Sequence, residues 1–381
     1  MHKSSKIIIA MVLVIAVALA FGGGFFAGQF SSPPPSEGLD IVGEAWNYLL
    51  TDYVDPSKLV SENLTRAAIE GIIASIHDPH MSYLSPENYT LVQSNFQGEF
   101  EGIGAIVGIR EDKLTIVSPI PGTPAEKSGI KSGDIIMEIN GESVVGMSLD
   151  VAISKIRGPS GTTVDLLILH PGETEPVVIQ IIRARVEVPS VAFEMRGDIA
   201  YIEIFQFTNR TETEFAQVMP ELSENNARGI VLDLRGNPGG ILSIVIEVAS
   251  HFITDGIIVS VRSNQGVIEV YNAIPKDVTT DLPMVVLVDN DSASGSEVLS
   301  GALQDHDRAL VTGNVTYGKG SVNILQRLSD GSGIYITTSR WLTPDGRLIE
   351  GNGIEPDVVL TITGEDEVQW AIDYLHGLKP Q

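Results

Sequence analysis

Ser292, Ser294 and Ser296 alternate through DSASGSE, and a single lysine, Lys319, follows in YGKGS with a glycine on either side. A serine hydroxyl is a weak nucleophile near neutrality and needs a base to take its proton. A lysine can be that base when burial brings its pKa down toward the working pH. The stretch Asp291–Ser321 therefore has the parts for acyl transfer: a hydroxyl, then a lysine held between glycines. Histidine offers rival bases in His306, after Asp305, and His251, at a helix end. Neither lies in a triad pattern, and no GxSxG surrounds Ser294.

The elements that must position these groups read as mixed α/β. PMVVLV (283–288) is a buried-type strand running straight into the serines, and a helical pattern begins near Ser296. Ser294 thus falls at a strand-to-helix turn, where a nucleophile is exposed and backbone N–H groups face developing negative charge. Upstream, GIVLDL (229–234) is a second apolar strand. It leads through the loop Arg235–Gly240 to a helix marked by Ile241, Ile244, Val245, Val248 and Phe252. Strand, glycine loop and helix in succession present N–H groups to an anion. Asp233 is read as the residue that holds this loop.

Three look-alikes fail. Residues 313–319 satisfy GxxxxGK, but Gly320 replaces the required Ser or Thr and a strand pattern follows. Ser128-Gly129-Ile130-Lys131 matches SxxK without an SDN partner. His77 and His80 have no carboxylate at ligand spacing and no HExxH, so no metal is expected.

The chain has 381 residues, enough for two or three domains, and contains no cysteine. Its net charge of −25 argues against nucleic acid as a partner. Ile7–Gly28 is an uncharged, apolar run of spanning length, preceded by His2, Lys3 and Lys6 and followed by Glu37, Asp40 and Glu44. The charge asymmetry predicts a cytoplasmic amino end and an exported body. The alternative is a cleaved signal ending near Ala18-Leu19-Ala20. Residues 1–30 are therefore expected to be a membrane anchor or signal, 31–38 a Pro/Ser linker, and 39–97 a helical cap or dimerisation segment.

From residue 98 the texture turns to short strands, with an Asn140-Gly141 hairpin and a helix capped by Ser148. PGTPAEKSGIKSGDIIMEINGESV resembles the middle of a PDZ domain, fitting residues 98–186. That resemblance implies a β-sandwich-like fold with two helices that takes a partner's carboxyl terminus as an added strand. The carboxylate would lie on the N–H groups of Gly102, Ile103 and Gly104. Arg157 is either a contact to the peptide or the neighbouring domain, or a helix C-terminal cation.

DPHMSYL, KIRGPSGT, GIVLDLRGNPGG, DSASGSE, ALQDHDRALVTG, YGKGS and TPDGRLIEGNGIEPD, with the PDZ block among them, resemble the carboxyl-terminal processing (tail-specific) peptidases over nearly all of residues 39–381. The resemblance implies an α/β multidomain serine endopeptidase with its core at 187–381, acting near substrate carboxyl ends and needing no cofactor. It makes Ser294 the nucleophile, Lys319 the base and the N–H groups of Gly240 and Gly295 the oxyanion donors. Asp305 is given a structural role. Asn323 stands where many members carry a glutamine that orients the lysine. Gly295 stands where members often have alanine, a difference expected to matter little. Unfolded or C-terminally exposed proteins are the implied substrates. An activating partner protein and a homo-oligomer are left open, as is the second reading of a noncatalytic PDZ scaffold on a peptidase fold.

Overall fold

The computed structural model describes residues 38–110 and 113–377. The chain divides into two compact units between Gly71 and Ile72. The first holds α1 (Leu39–Asp52), a 3-10 turn at Pro56–Lys58 and most of α2 (Ser61–Ile76). The expected membrane span, Ile7–Gly28, lies outside the described residues. No helix among the described residues is long and apolar enough to cross a membrane.

The second unit opens with β1 (Ser82–Leu84) and α3 (Pro86–Gln97). Local chemistry sets both ends of α3. The Ser85 hydroxyl accepts the Asn88 N–H at 3.3 Å, Pro86 starts the first turn, and Gly98 at φ 72° ends the helix.

Next come β2 (Glu99–Gly102), β3 (Ala105–Arg110), β4 (Lys113–Pro119), α4 (Pro124–Lys127), β5 (Ile135–Ile139), β6 (Glu142–Ser143), α5 (Leu149–Ile156), β7 (Thr163–Leu169), β8 (Val177–Ile182) and β9 (Ala184–Glu187). The sheet order is β3-β4-β5-β7-β8, with β6 on β5, while β2 pairs separately with β9. Strand alternation drives the packing. Val164, Leu166 and Ile168 of β7 point inward against Ile116, Ile136, Ala152 and Ile156. Arg183 closes the end of α5 by donating to the carbonyls of Lys155 and Ile156 at 2.9 and 2.8 Å. It thereby places Arg157, the next residue. Because β3 is an edge strand, its outer side is left unpaired.

The remainder comprises β10 (Val191–Arg196), β11 (Ile199–Ile204), α6 (Thr211–Glu224), β12 (Gly229–Asp233), α7 (Leu242–Ala249), β13 (Ile257–Ser263), β14 (Ile268–Asn272), β15 (Met284–Val288), α8 (Gly295–Asp305), β16 (Leu310–Gly313), β17 (Ser321–Arg327), β18 (Gly333–Leu342), β19 (Val358–Val359) and α9 (Glu365–Leu375). One sheet runs β10-β11-β12-β15-β16-β19 and is parallel except for β10. Every residue of β12 and β15 is buried, as expected of parallel strands covered on both faces. Ile230, Leu232, Val286 and Val288 face Phe215, Val245, Val248 and Leu299, from α6, α7 and α8. The alternate residues Val231, Val285 and Leu287 meet Val368, Ala371 and Ile372 of α9. An antiparallel sheet, β1-β18-β13-β14 with β17 on β18, brings the N-terminal strand β1 against the lysine-bearing region. The loops at the carboxyl ends of β12 and β15 carry the site, where open α/β sheets place their ligands.

His251 is buried beside Phe215, with ring centroids 5.5 Å apart, and its Nδ1 donates to the Val278 carbonyl at 2.7 Å. Its Nε2 has no partner among the described residues. Burial pushes this imidazole below its ordinary value. Its contribution to stability is therefore fully present above about pH 6.5 and is lost as pH falls through the lowered folded value. Urea unfolding across that range is expected to show a pH slope that His251→Phe flattens.

Candidate active site

The turn after β15 is built around Asp289. Its Oδ1 accepts the N–H groups of Ser292 at 2.9 Å and Asp291 at 3.0 Å, and reaches across to the Gly236 N–H at 2.9 Å. One carboxylate therefore joins the serine turn to the glycine loop. The three serines then separate by what their hydroxyls do. Ser292 Oγ is buried and donates to the Leu234 carbonyl at 2.8 Å. Ser296 Oγ is buried and donates to the Asn237 carbonyl at 2.9 Å. Ser294 is half-buried; it stands in a capping box with Glu297 at the start of α8, and its hydroxyl donates to no acceptor among the described residues. Its backbone lies at φ 52°, ψ −109°. A non-glycine residue held there costs on the order of 1–3 kcal/mol, and such strain gathers at functional sites.

The glycine loop is gripped at both ends. Asp233 accepts the Arg235 N–H at 3.0 Å, pairs with its guanidinium and accepts Tyr201 O–H at 2.8 Å. Arg235 also pairs with Glu367 of α9. The loop-holding role expected of Asp233 is what these contacts do. Asn237 Nδ2 donates to the Ile204 carbonyl at 2.6 Å, and its Oδ1 accepts the Gly239 N–H at 2.8 Å. Phe207 and Gly240 then form a bridge, Phe207 N–H to the Gly239 carbonyl and Ile241 N–H to the Phe207 carbonyl, both at 2.9 Å. At Gly240, φ is 148° and a Cβ would come within 2.0 Å of the Phe207 carbonyl oxygen, so only glycine fits. The Gly240 and Gly295 N–H groups have no acceptor among the described residues. They lie close together, for a Cβ on Gly295 would stand 3.3 Å from the Gly240 nitrogen. The two N–H groups without acceptors thus lie near one another and next to Ser294.

Gly295 matters more than its sequence position implies. A Cβ there would sit 2.9 Å from Val245 Cγ2 and 3.2 Å from the Phe207 ring. Phe207 brackets Gly240, so the crowding is transmitted to the Gly240 N–H. On the expectation that these N–H groups receive the oxyanion, Gly295→Ala should lower kcat about tenfold. It should also forgo the helix-propensity gain of about 0.5–1 kcal/mol. Steady-state kinetics and thermal melts measure both, and Val245→Ala in the same chain should restore part of kcat by making room.

Glu297, three residues into α8, was not singled out in the sequence. It is fully buried and binds four donors. Its Oε1 accepts the Thr316 hydroxyl at 2.6 Å and the Gly318 N–H at 2.7 Å. Its Oε2 accepts the Ser294 N–H at 2.7 Å and the Lys319 N–H at 2.9 Å. A single carboxylate thus fixes the backbones of Ser294 and Lys319 to one another. Burial pushes its carboxyl upward, while the Thr316 hydroxyl and the three N–H groups oppose this. The signal available in the sequence was the S-x-x-E capping pattern of Ser294 and Glu297.

Lys319 is half-buried, with Nζ 5.8 Å from the centre of the Tyr335 ring. Burial pushes its amine below the ordinary lysine value, and the Glu297 and Glu350 carboxylates partly pull it back. The direction favours the neutral amine that a base requires.

Other expected residues are differently employed. Asn323 does not orient Lys319: its Oδ1 accepts the Ser321 hydroxyl at 2.8 Å, and its Nδ2 donates to Thr337 Oγ1 at 2.9 Å and the His80 carbonyl at 3.1 Å. The short amide is taken up by its own strand, by β18 and by the turn before β1. Asp305 pairs with Arg347 and accepts the Asp345 N–H at 2.9 Å, a structural use. His306 Nε2 donates to the Ile257 carbonyl at 2.7 Å, so it joins His251 in serving the backbone.

A cleft of about 580 Å³ lies along β3 and α5, lined by Ile103, Gly104, Ile106, Ile153, Arg157 and Phe205. The Ile103 and Gly104 N–H groups have no acceptor among the described residues. Gly104 stands at φ 79°, and a Cβ would strike Thr123 at 2.3 Å. Gly102 is not part of this cleft; it pairs with Ala184, and a Cβ there would meet the Phe100 ring. Arg157 lies over that ring, its guanidinium carbon 4.7 Å from the centroid. Burial lowers its pKa, and no carboxylate pairs with it among the described residues.

The model of peptidase family S41 matches residues 198–360, and that of the PDZ domain matches residues 92–169. A carboxy-terminal-processing protease of Bartonella bacilliformis is 37% identical over 326 residues, covering 84% of this chain and 74% of that one. The chain belongs to peptidase family S41. Within the family, the carboxy-terminal processing protease CtpB of Bacillus subtilis is 34% identical over 373 residues, covering 92% of this chain and 77% of its own. Among solved structures, the photosystem II D1 C-terminal processing protease superposes with a TM-score of 0.52 at 31% identity, over 86% of this chain and 94% of that one. This S41 member is accordingly a serine-type peptidase of the carboxyl-terminal processing kind, and it carries a PDZ domain.

Proposed function

We propose that the enzyme cleaves protein chains near their carboxyl ends with Ser294 as nucleophile and Lys319 as base. The observation carrying this reading is that Ser294 alone of the three serines has a hydroxyl that donates to no acceptor among the described residues, and that the unspent N–H groups of Gly240 and Gly295 stand beside it. Neutral Lys319 takes the hydroxyl proton as Ser294 Oγ attacks the scissile carbonyl. The two N–H groups receive the oxyanion, Lys319 returns the proton to the leaving amine, and water releases the acyl group.

The substrate's carboxyl terminus is read in the cleft, as a strand added to the free edge of β3. Its carboxylate meets the N–H groups of Ile103 and Gly104, with Arg157 nearby as the unpaired cation. The run Ile7–Gly28 anchors the chain in a membrane, with the catalytic part on the extracytoplasmic side.

The test uses the full-length protein in detergent with an unfolded substrate bearing either a free or an amidated carboxyl end. Amidation is expected to raise KM on the order of tenfold, worth about 1.4 kcal/mol. Arg157→Ala should erase most of that difference. Equal kinetics on both substrates would sink the carboxyl-end reading while leaving the Ser294 chemistry standing.

A further inference from the structure

Lys319 is clamped against residues 349–353. The Gly351 N–H donates to the Gly318 carbonyl at 2.9 Å, and the Trp341 N–H to the Gly320 carbonyl at 2.7 Å. Gly320 is pressed so closely on Glu350 that a Cβ there would come within 2.0 Å of the Glu350 nitrogen. The glycines flanking Lys319 therefore set it beside Glu350.

The Glu350 carboxylate is only half used. Its Oε1 lies 3.5 Å from His80 Nε2 and 3.9 Å from an Arg340 nitrogen. Its Oε2 is buried and has no hydrogen-bond partner among the described residues. A buried carboxylate oxygen without a donor is costly, and such an atom calls for a role. The neighbouring carboxylate, Glu297, cannot take an ammonium as it stands, because both its oxygens are filled by four donors. Glu350 Oε2 is an unspent acceptor on the segment packed against Lys319; Lys319 Nζ has no hydrogen-bond partner among the described residues and, as the side chains stand, makes no ion pair with Glu350 within 4.0 Å.

We propose that Glu350 is a positioning residue for the peptidase reaction: its free Oε2 receives the Lys319 ammonium and holds it aimed for return of the proton. The proposal rests on the Ser294–Lys319 reading. In the attack, the electron pair of the Ser294 O–H bond forms the bond from Oγ to the carbonyl carbon. The carbonyl π pair moves to oxygen, and the proton moves to Nζ. A positive charge appears on Lys319 at that moment, inside a partly buried site, and a carboxylate with a vacant oxygen stabilises it. When the C–N bond breaks, the same proton passes to the leaving nitrogen. His80 and Arg340 stand near Oε1, at 3.5 and 3.9 Å, while Oε2 has no partner among the described residues. The groups facing Lys319 are thus Glu297, Glu350 and the Tyr335 ring.

The test is the pH dependence of kcat/KM for the full-length enzyme on an unfolded protein, in wild type, Glu350→Gln, Glu350→Asp and Lys319→Ala. Removing the Glu350 charge makes Lys319 easier to deprotonate. The acid limb of Glu350→Gln is expected to move to lower pH by about one unit. Its plateau kcat should fall about tenfold as the base weakens and loses its counter-ion, with KM unchanged. Glu350→Asp retains the charge and should keep the wild-type acid limb, with a kcat between those of wild type and Glu350→Gln. A Glu350→Gln enzyme with a wild-type acid limb, or with a change in KM alone, overturns the proposal. Should that variant not fold, an Asp variant whose acid limb is displaced overturns it instead. A Lys319→Ala enzyme that kept its activity and its acid limb would show that the Ser294–Lys319 reading itself had failed.

Discussion

Replacing Ser294 by alanine is expected to lower kcat about 10⁴- to 10⁶-fold on an unfolded protein substrate, and Lys319→Ala should fall in the same range. The two act as one unit, so the double variant should be no slower than the worse single one. That non-additivity is the sharper test, because two independent contributors would multiply. Lys319→Arg should be as inactive as the alanine variant, since a guanidinium does not give up its proton in this range. The wild-type rate should rise with pH as Lys319 loses its proton. Burial lowers that lysine's pKa, so the rise should begin below the ordinary lysine value near 10.4. Ser294→Ala keeps the Ser294 N–H on Glu297, so any loss of stability should stay within that of one N-cap hydroxyl, about 0.5–2 kcal/mol. Substantial activity in both single variants would refute the pairing.

The turn that carries Ser294 was legible in the sequence because its signals are local. A run of apolar residues, a short turn and a helical pattern place it at the end of β15, and β15 and α8 lie where those patterns predicted. The glycine loop was legible for the same reason, since β12 leads into it and α7 leads away. What local pattern cannot supply is the partner brought from elsewhere in the chain. Glu297 reads as an ordinary helix-start glutamate, and its second role appears only once Thr316, Gly318 and Lys319 fold back upon it. Glu350 is likewise unremarked until Gly320 packs against it. Asn323 was misjudged by spacing: four residues beyond the lysine, its amide turns to Ser321, Thr337 and the His80 carbonyl. Gly295 was misjudged in the opposite sense. An N–H was the only function considered for it, while the cost of a methyl group depends on Val245 and Phe207 from two other elements.

Glu297→Gln is expected to cost about 1–3 kcal/mol of unfolding free energy, although the side chain keeps its size. All four partners of this carboxylate are donors: the Ser294 N–H, the Lys319 N–H, the Gly318 N–H and the Thr316 hydroxyl. An amide presents one oxygen and one NH₂ group. Turned with its NH₂ toward Thr316, whose hydroxyl can rotate to accept it, the amide leaves the Gly318 N–H without its acceptor; turned the other way it opposes the Ser294 and Lys319 N–H groups. Each loss is worth roughly 1–3 kcal/mol. The kinetic effect follows from the same contacts, because Oε2 alone ties the backbone of Ser294 to that of Lys319. A misplacement of about 1 Å there lowers kcat on the order of 100-fold. Urea unfolding and kcat measured on the same preparation separate the two effects, since enzyme that remains folded below the transition must still be slow. Glu297→Asp keeps the charge but withdraws it by one methylene, so it should lose less stability than Glu297→Gln while kcat stays depressed. A glutamine variant with wild-type stability would mean that the carboxylate's charge is dispensable, and a stable, fast one would remove Glu297 from the site altogether.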